Sequence, residues 1–188
     1  EKMNKATSHR GPDGTGVFVD SGISFGHNRL SIIDLSEAAG QPMTNQDGNL
    51  IIIFNGEIYN FHELKEELKS SYLFKTKSDT EVILAAYQKW GEDCVSRLNG
   101  MFALAIWDKL KKKLFLARDH FGIKPLYYFW DGKKFIFSSE IKAILEHGIE
   151  RKLNKEAFNH YLRVLYTPAP LTMFQGIYKM EPGSIATL

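Results

Sequence analysis

The sequence is poor in cysteine, in long apolar runs and in excess charge of either sign, and each absence excludes a class of protein. Cys94 is the only cysteine among 188 residues, so no internal disulfide can form, and a reducing, cytoplasmic setting is the simplest inference. The longest apolar stretches, 50–54 and 101–107, are far shorter than the ~20 residues that cross a bilayer, so we expect no membrane partner. A net charge of only +2 gives no reason to expect a nucleic-acid partner.

What the sequence does contain is typical of one globular domain. Hydrophobic residues make up 44% of the chain and aromatic residues 13%, which is enough for a sizeable core. We found no internal repeat and no low-complexity tract.

Apolar periodicity and turn residues predict many strands and a few helices. The predicted strands are 16–20, 23–26, 29–35, 50–54, 101–107, 113–118, 126–130 and 135–139, the first two joined as a hairpin. The predicted helices are 2–9, 61–70, 79–90, 94–98, 141–146 and 155–165. Ser78 and Glu81 form a predicted capping box at the start of helix 79–90, and Gly91 is expected to end that helix.

The strand at 101–107 has no polar face, because its residues read MFALAIW. A sheet with one face in water would alternate apolar and polar residues, so both faces of this strand must be covered. One cover is expected to be a second sheet and the other a layer of helices. The sequence therefore predicts an α+β fold with a helix–sheet–sheet–helix order and mostly antiparallel strands.

The Asn55-Gly56 pair follows the apolar run 50–54 and has two interpretations. An Asn-Gly pair between apolar runs is a strong hairpin signal. The same two residues would also set an exposed backbone N–H beside a side-chain amide. Two such donors form an oxyanion hole, in which each stabilises a transition state by ~3 kcal/mol.

Three charged residues each have a structural and a functional interpretation. Asp79 fits the first turn of a helix, yet Ser78 suffices as the cap and leaves the Asp79 carboxylate free to bind an ammonium group. Arg29 is either a surface or ion-paired residue, or it binds a carboxylate through two parallel N–H···O hydrogen bonds. Glu57 would assist at the ammonium end. Together these residues predict a site that holds a free amino acid by both charged ends.

Other reactive side chains are expected to be structural. Cys94 lies beside apolar residues and is interpreted as a small buried hydrophobe rather than a nucleophile. His120 has no second His or Cys at metal-ligand spacing, so no metal site is predicted. Arg118 and Asp119 are consistent with an internal ion pair.

Each motif alone is weak evidence for a function, but the residues of the motifs and their order along the chain are together specific. In chain order they are HRGPDG (9–14), GHNRLSIID (26–34), FNGEIYN (54–60), SDTEVILAAY (78–87), LNGMFALAIWD (98–108), ARDHFGIKPLYY (117–128) and SSEIKAIL (138–145). This series, which covers nearly the whole chain, resembles the glutaminase domain of glutamine-hydrolysing asparagine synthetases.

The resemblance implies a class II glutamine amidotransferase with a four-layer αββα sandwich of the N-terminal-nucleophile hydrolase type. Such a domain hydrolyses glutamine to glutamate and ammonia. The ammonia passes to the chain's own synthetase domain, where ATP and Mg support the amidation of aspartate; the glutaminase domain itself needs no cofactor. The resemblance leaves the oligomeric state open, with a homodimer as one option.

The resemblance also implies roles for individual residues. Arg29 and the backbone of the next four residues, Leu30, Ser31, Ile32 and Ile33, would bind the glutamine carboxylate. Asn55 and Gly56 would form the oxyanion hole, while Glu57 and Asp79 would hold the α-amino group. Residues 118–128 would lie toward the synthetase domain.

Two departures from the family pattern set further expectations. The family's nucleophile is an N-terminal cysteine whose own α-amino group acts as base, with a pKa of ~7.7–8.0, whereas residue 1 here is Glu. We therefore expect residues 1–188 to be a glutaminase domain that lacks its first strand and is inactive alone. The ATP-dependent synthetase domain is expected to be absent.

Two alternatives stay open. The domain could be a non-catalytic relic that keeps the fold as a scaffold, or an amidotransferase with another acceptor. The residue that follows the initiator methionine separates enzyme from relic, and only a synthetase half would identify the acceptor.

Overall fold

In the computed structural model, which describes residues 1–188, the largest element is a five-stranded antiparallel sheet. Its spatial order is β10 (Ile185–Thr187), β6 (Lys113–Arg118), β5 (Gly100–Asp108), β4 (Leu50–Ile58) and β3 (Met43–Thr44). The long pair β4–β5 runs in register from Leu50↔Asp108 to Ile58↔Gly100. Neither strand has an exposed residue, as expected of a sheet covered on both faces.

Two smaller antiparallel sheets form a second layer. One is the hairpin of β1 (Gly14–Asp20) and β2 (Ile23–Arg29); the other has the order β8 (Phe135–Ser138), β7 (Tyr127–Trp130), β9 (Ile177–Lys179). A core between the layers joins Phe25 of β2 to Ile51 of β4 and to Ala103 and Ala105 of β5. The hairpin prediction is confirmed, with each strand longer than the sequence indicated.

Helices cover the two outer faces. Helices α2 (Phe61–Leu68) and α3 (Asp79–Trp90) pack on the outer face of the five-stranded sheet. Helices α1 (Lys2–Ala6) and α4 (Ile141–Leu145) contribute to the core beside β8 and β9, where Met3 and Ile144 meet Ile136 and Ile177. The layer order is therefore helix, sheet, sheet, helix, as the apolar strands predicted.

Helix α3 begins and ends where its sequence predicts. The Ser78 Oγ accepts a hydrogen bond from the Thr80 N–H at 3.1 Å, and Gly91 ends the helix with φ of 61°. The predicted capping box, however, is wrong in one half. The Glu81 carboxylate accepts from the backbone N–H groups of Lys75 (2.9 Å) and Thr76 (2.7 Å), because the preceding loop folds back over it. Glu81 thus organises the loop before α3.

The predicted strand at 29–35 is also wrong. Strand β2 ends at Arg29, and residues 30–36 form an irregular loop in which Leu30, Ile32 and Leu35 are exposed. No neighbouring strand is available to pair with this stretch. The Asp34 carboxylate instead accepts from the Ser36 N–H at 2.8 Å and the Lys77 N–H at 2.7 Å, which curls the loop toward the start of α3.

Arg118 and Asp119 do not pair with each other, which corrects a third expectation. The Arg118 guanidinium donates to the carbonyls of Gly122 and Lys124, both at 2.7 Å. The buried Asp119 carboxylate accepts backbone N–H groups, among them those of Ile123 (2.9 Å) and Lys124 (3.0 Å). Both side chains fix one loop by satisfying its backbone.

Helix α5 (Lys155–Val164) lies at the surface. The Asn154 Oδ1 caps it by accepting from the Ala157 N–H at 3.1 Å, yet Ala157 is its only buried residue. Its apolar side chains Phe158, Tyr161, Leu162 and Val164 are exposed. No helix of the chain is both long enough and apolar enough to cross a membrane.

Candidate active site

The Asn55-Gly56 pair lies inside β4 and forms no turn, which overturns the hairpin interpretation. Asn55 is paired with Ala103, and Gly56 with Phe102. A Cβ atom added to Gly56 would lie 2.2 Å from the Met101 carbonyl oxygen and 2.8 Å from the Phe102 Cα. Glycine is therefore required here because β5 approaches the backbone closely.

Beyond the short strand β3, one edge of β4 carries backbone groups that no strand pairs. The Phe54 N–H donates to the Gln41 Oε1 at 2.7 Å, and the Ile58 N–H donates to the Asp79 Oδ2 at 3.1 Å. Because N–H directions alternate along a strand, the Gly56 N–H points to the same edge, between these two. The structure thus presents the Gly56 N–H on the open edge of β4.

The Asn55 side chain projects from the face of β4 that meets the second layer, as the side chains of Ile51 and Ile53 do four and two residues earlier. Its Nδ2 atom is buried and has no hydrogen-bond partner. Buried side-chain donors are nearly always paired, so this amide is an unsatisfied donor one residue from Gly56.

Two carboxylates lie at the end of β4. Asp79 is buried at the start of α3. Burial raises its pKa and the nearby Glu57 carboxylate raises it further, against hydrogen bonds from backbone N–H groups, including those of Ile58 and Thr80, that lower it. A cation between the two carboxylates would relieve both the desolvation of Asp79 and the repulsion from Glu57.

Arg29 occupies the last position of β2, and its guanidinium faces the loop that follows. It donates to the Asp34 carbonyl and, at 2.9 Å, to the Ser36 carbonyl. These bonds use two of its five N–H groups. The Asp34 carboxylate in turn binds the Lys77 N–H, so the same loop joins Arg29 to the residues that precede Asp79.

Residues 30–33, predicted to bind through their backbone, continue from Arg29 into this loop. The Ser31 N–H donates to the Asp13 Oδ2 at 2.8 Å, so Asp13 of the HRGPDG motif fixes the path of the loop. Leu30 and Ile32 are exposed, whereas Ser31 and Ile33 are partly buried.

A large cleft opens between the two sheet layers beside this region. Its volume is about 980 Å³, and its walls include β2 at 23–28, β4 at 53–55, β5 at 103–105 and β8 at 135–138. Asn55 lies on its wall, together with His27. Arg29, Gly56, Glu57 and Asp79 are not part of the wall.

His27 is a candidate site residue that sequence reasoning missed. Its Nε2 lies 3.2 Å from the Phe54 carbonyl oxygen, whereas its Nδ1 is buried and has no partner. Burial, and to a smaller extent the charge of Arg29, lower its pKa to about 4, against the hydrogen bond to Phe54, which raises it. The only available signal was its position in GHNRLSIID, two residues before Arg29.

Cys94 lies far from these groups in the layer order. It is fully buried in the core beneath α2 and α3, on the opposite face of the five-stranded sheet from Asn55. Burial raises the pKa of its thiol to about 12. It is a structural residue, as predicted.

Three kinds of polar group are connected through their neighbours in the chain: Asp79 accepts from the Ile58 N–H at the end of β4, and the loop after Arg29 accepts from the Lys77 N–H, two residues before Asp79. The Asn55 amide and the Gly56 N–H are neighbouring donors, and Arg29 retains unused N–H groups. Glu57 and Asp79 are two carboxylates close enough for the Glu57 charge to raise the pKa of Asp79. Such a set has the chemistry to hold a zwitterion and to stabilise negative charge on an oxygen.

Comparisons with known proteins agree with this chemistry. A family model described as a glutamine amidotransferase domain matches residues 1–188. A putative glutamine-hydrolysing asparagine synthetase of Methanocaldococcus jannaschii is 44% identical, over 96% of this chain and 39% of that protein. Asparagine synthetase 1 of Bacillus subtilis, also described as glutamine-hydrolysing, is 46% identical, over 100% of this chain and 30% of that protein.

A solved structure supports the fold. The glutamine phosphoribosylpyrophosphate amidotransferase of B. subtilis superposes with a TM-score of 0.66 over 81% of this chain and 42% of that chain, at 22% identity. The predicted four-layer αββα sandwich fold is thereby confirmed. The chain spans only about a third of the two asparagine synthetases that it matches. The motif resemblance is confirmed, and the chain belongs to the family of glutamine amidotransferase domains.

Proposed function

We propose that the chain is the glutaminase part of an asparagine synthetase, which hydrolyses glutamine to glutamate and ammonia. The observation that carries this proposal is the unsatisfied Asn55 amide beside the outward Gly56 N–H, with Glu57 and Asp79 at the end of the same strand. The two donors suit an oxyanion, and the two carboxylates suit the α-ammonium group of glutamine. Arg29 would bind its carboxylate, with the backbone of 30–33 beside it.

The nucleophile in this proposal is a thiol on a strand that precedes Glu1. Strand β2 is paired only with β1, and β8 only with β7, and both free edges border the cleft. A strand inserted there would join the two smaller sheets into one. Its end would lie near Asn55 on the cleft wall. Cys94 cannot serve, because it is buried on the other face of the five-stranded sheet.

The reaction follows from these positions. The thiol loses its proton to the α-amino group of its own residue and attacks the side-chain carbonyl carbon of glutamine. The oxygen becomes an anion that accepts hydrogen bonds from the Asn55 Nδ2 and the Gly56 N–H. The carbon–nitrogen bond breaks, ammonia leaves with the proton, and water hydrolyses the resulting thioester to glutamate.

Ammonia release from glutamine tests the proposal. The assay compares the 188-residue chain with a version that carries an upstream strand beginning with cysteine. We expect turnover only from the longer protein, and none when its first residue is changed from Cys to Ser. Equal turnover by the 188-residue chain would refute the upstream thiol. No turnover by either, with glutamine binding retained, would favour the scaffold relic.

We also propose that the exposed apolar face of α5 contacts an ATP-dependent synthetase domain. The face comprises Phe158, Tyr161, Leu162 and Val164 and continues into Leu165 and Tyr166, all exposed. A patch of this kind marks an interaction surface. The matched asparagine synthetases are about three times as long as this chain, so they contain a further domain that could cover the face.

Substitution on α5 in a protein that contains both domains tests this contact. Leu162→Glu is expected to reduce glutamine-dependent asparagine formation at least several-fold, while synthesis from added ammonia continues. Leu110→Glu is the matched control, because Leu110 is exposed to 76% in the β5–β6 turn and Leu162 to 64%. Equal behaviour of the two variants would refute the contact. Aspartate as acceptor is tested in the same assay.

The proposal also covers the cellular compartment and the oligomeric state. We propose a cytoplasmic protein, because the sole cysteine is a buried free thiol that needs no oxidising environment. A homodimer is proposed as the assembly, and light scattering on the full protein tests it: a monomeric mass across the micromolar range would contradict it.

A further inference from the structure

Only two buried side-chain polar atoms in the chain have no hydrogen-bond partner, and they belong to His27 and Asn55. Both residues line the cleft between the two layers. The His27 Nε2 also hydrogen-bonds to Phe54, the residue before Asn55. The two unsatisfied atoms therefore belong to residues that line the same cleft and that are connected through the Phe54–Asn55 segment of β4.

The hydrogen bond to Phe54 decides what the free nitrogen of His27 can do. A carbonyl oxygen only accepts, so the Nε2 of His27 must carry the proton and donate. In the neutral ring the Nδ1 atom then has a lone pair and no hydrogen. Burial and the charge of Arg29 favour this neutral ring, since they lower the pKa of His27 to about 4. The unsatisfied Nδ1 is thus an acceptor, whereas the unsatisfied Asn55 Nδ2 is a donor.

A donor and an acceptor beside one reaction centre match a carboxamide. The carboxamide oxygen accepts from the Asn55 Nδ2 and the Gly56 N–H, and its NH₂ group has hydrogens to donate. A carboxylate has no hydrogen on either oxygen, so it would set a second oxygen against the Nδ1 lone pair. The Asn55 Nδ2 and the His27 Nδ1 together would then bind glutamine more tightly than glutamate.

We propose that His27 is a substrate-binding residue that accepts a hydrogen bond from the carboxamide nitrogen of glutamine through its Nδ1. This inference rests on the proposed glutaminase activity and adds the residue that distinguishes the amide substrate from its acid product. It predicts that substitution of His27 lowers kcat/KM for substrates that carry an N–H on the leaving group. For substrates without such an N–H, it predicts little or no loss of kcat/KM.

The test uses two substrates and a protein that carries the upstream cysteine. Glutamine has an N–H on its leaving group, whereas the γ-methyl ester of glutamate has the same carbonyl without it. In His27→Gln, the new amide can retain the bond to the Phe54 carbonyl but leaves no acceptor at the Nδ1 position. We expect kcat/KM for glutamine to fall by about 10- to 100-fold, while kcat/KM for the ester, whose alkoxy oxygen has no hydrogen to donate, does not fall by more than about twofold.

Two further variants complete the design. His27→Asn puts its oxygen near the Nδ1 position and gives up the bond to Phe54, so it should recover part of the glutamine rate. His147→Gln is the matched control, because His147 borders the same cleft near Met3 and should leave both rates unchanged. Thermal melting checks that each variant is folded.

The outcomes separate the inference from the proposed function. A loss that is equal for the two substrates in His27→Gln, or no loss on either, would overturn the role of His27 while leaving the glutaminase in place. A parent protein that cleaves neither substrate would overturn both. If His27→Gln does not fold, the glutamine-to-ester ratio of His27→Asn decides: a ratio reduced as far as in a His27→Ala protein would refute the acceptor.

Discussion

Gly56→Ala is the substitution that tests the geometry of β4 most directly. The added methyl carbon would lie 2.2 Å from the Met101 carbonyl oxygen and 2.9 Å from the Phe54 ring, well inside van der Waals contact. The nearest obstruction is backbone, so β5 itself must move. Forcing a methyl group into such packing costs about 1–3 kcal/mol.

The matched control is Gly14→Ala. A Cβ atom at Gly14 would meet nothing closer than the Arg29 Cβ at 3.9 Å, and Gly14 does not have a positive φ. Alanine also reduces the entropy of the unfolded chain at both positions, by about 0.4–1 kcal/mol. The difference between the two variants therefore isolates the clash with β5.

Urea unfolding followed by circular dichroism measures this difference. We expect Gly56→Ala to be less stable than Gly14→Ala by about 1–3 kcal/mol at an unchanged m-value. A difference of 2 kcal/mol corresponds to roughly 4–8 °C in melting temperature for a domain of this size. Equal midpoints for the two variants would show that β5 does not approach Gly56 as closely as the structure indicates.

Three further substitutions test the site. Asn55→Ala, in a protein that carries the nucleophile, should lower kcat for glutamine by about 10²–10³ without lowering the melting temperature, because it removes an unsatisfied donor; an unchanged kcat would exclude the oxyanion role. Asp79→Asn should raise the free energy of unfolding of the free chain at pH 7 and abolish glutamine binding in calorimetry. Because burial raises the pKa of Asp79 above its ordinary value of 3.8, the folded chain binds the proton more tightly than the unfolded chain does. Wild-type stability therefore falls as the pH rises through that raised pKa. A variant less stable than wild type at pH 7 would contradict this sign. The pKa of His27 is lowered from 6.5 to about 4, so the unfolded chain binds more protons between these values and stability falls as the pH drops from 6.5 toward 4. His27→Gln should remove that part of the pH dependence in urea titrations at pH 7 and pH 5, and an unchanged slope would contradict it.

Much of the fold could be predicted because its signals are local. Helix α3 has a Ser cap, a Gly stop and apolar residues between them, and the structure has the same bounds, Asp79–Trp90. The strand 101–107 could be predicted as buried on both faces from its lack of polar residues alone. Layer order followed from that single property, since a strand with two apolar faces needs two covers.

The parts that could not be predicted depend on distant contacts. The role of Gly56 is set by the Met101 carbonyl, which is 45 residues away in the sequence. The cleft is formed by strands as far apart as β2 and β8. Nothing near His27 in the sequence indicates that its ring reaches the Phe54 carbonyl. Such relations follow from how the layers stack, and one sequence does not contain that information.

The three errors of local structure nearest to the candidate site share a cause. The sequence favours a turn at Asn55-Gly56, a strand at 29–35 and a capping box at Glu81, and the structure has none of these. In each case a polar group does not bind its usual local partner: the Asp34 and Glu81 carboxylates bind backbone N–H groups of the loop before α3, and the Asn55 amide has no partner. Natural sequences break local rules chiefly where function requires it. That these exceptions surround Arg29, Asn55 and Asp79 is an argument for the site that is independent of the motifs.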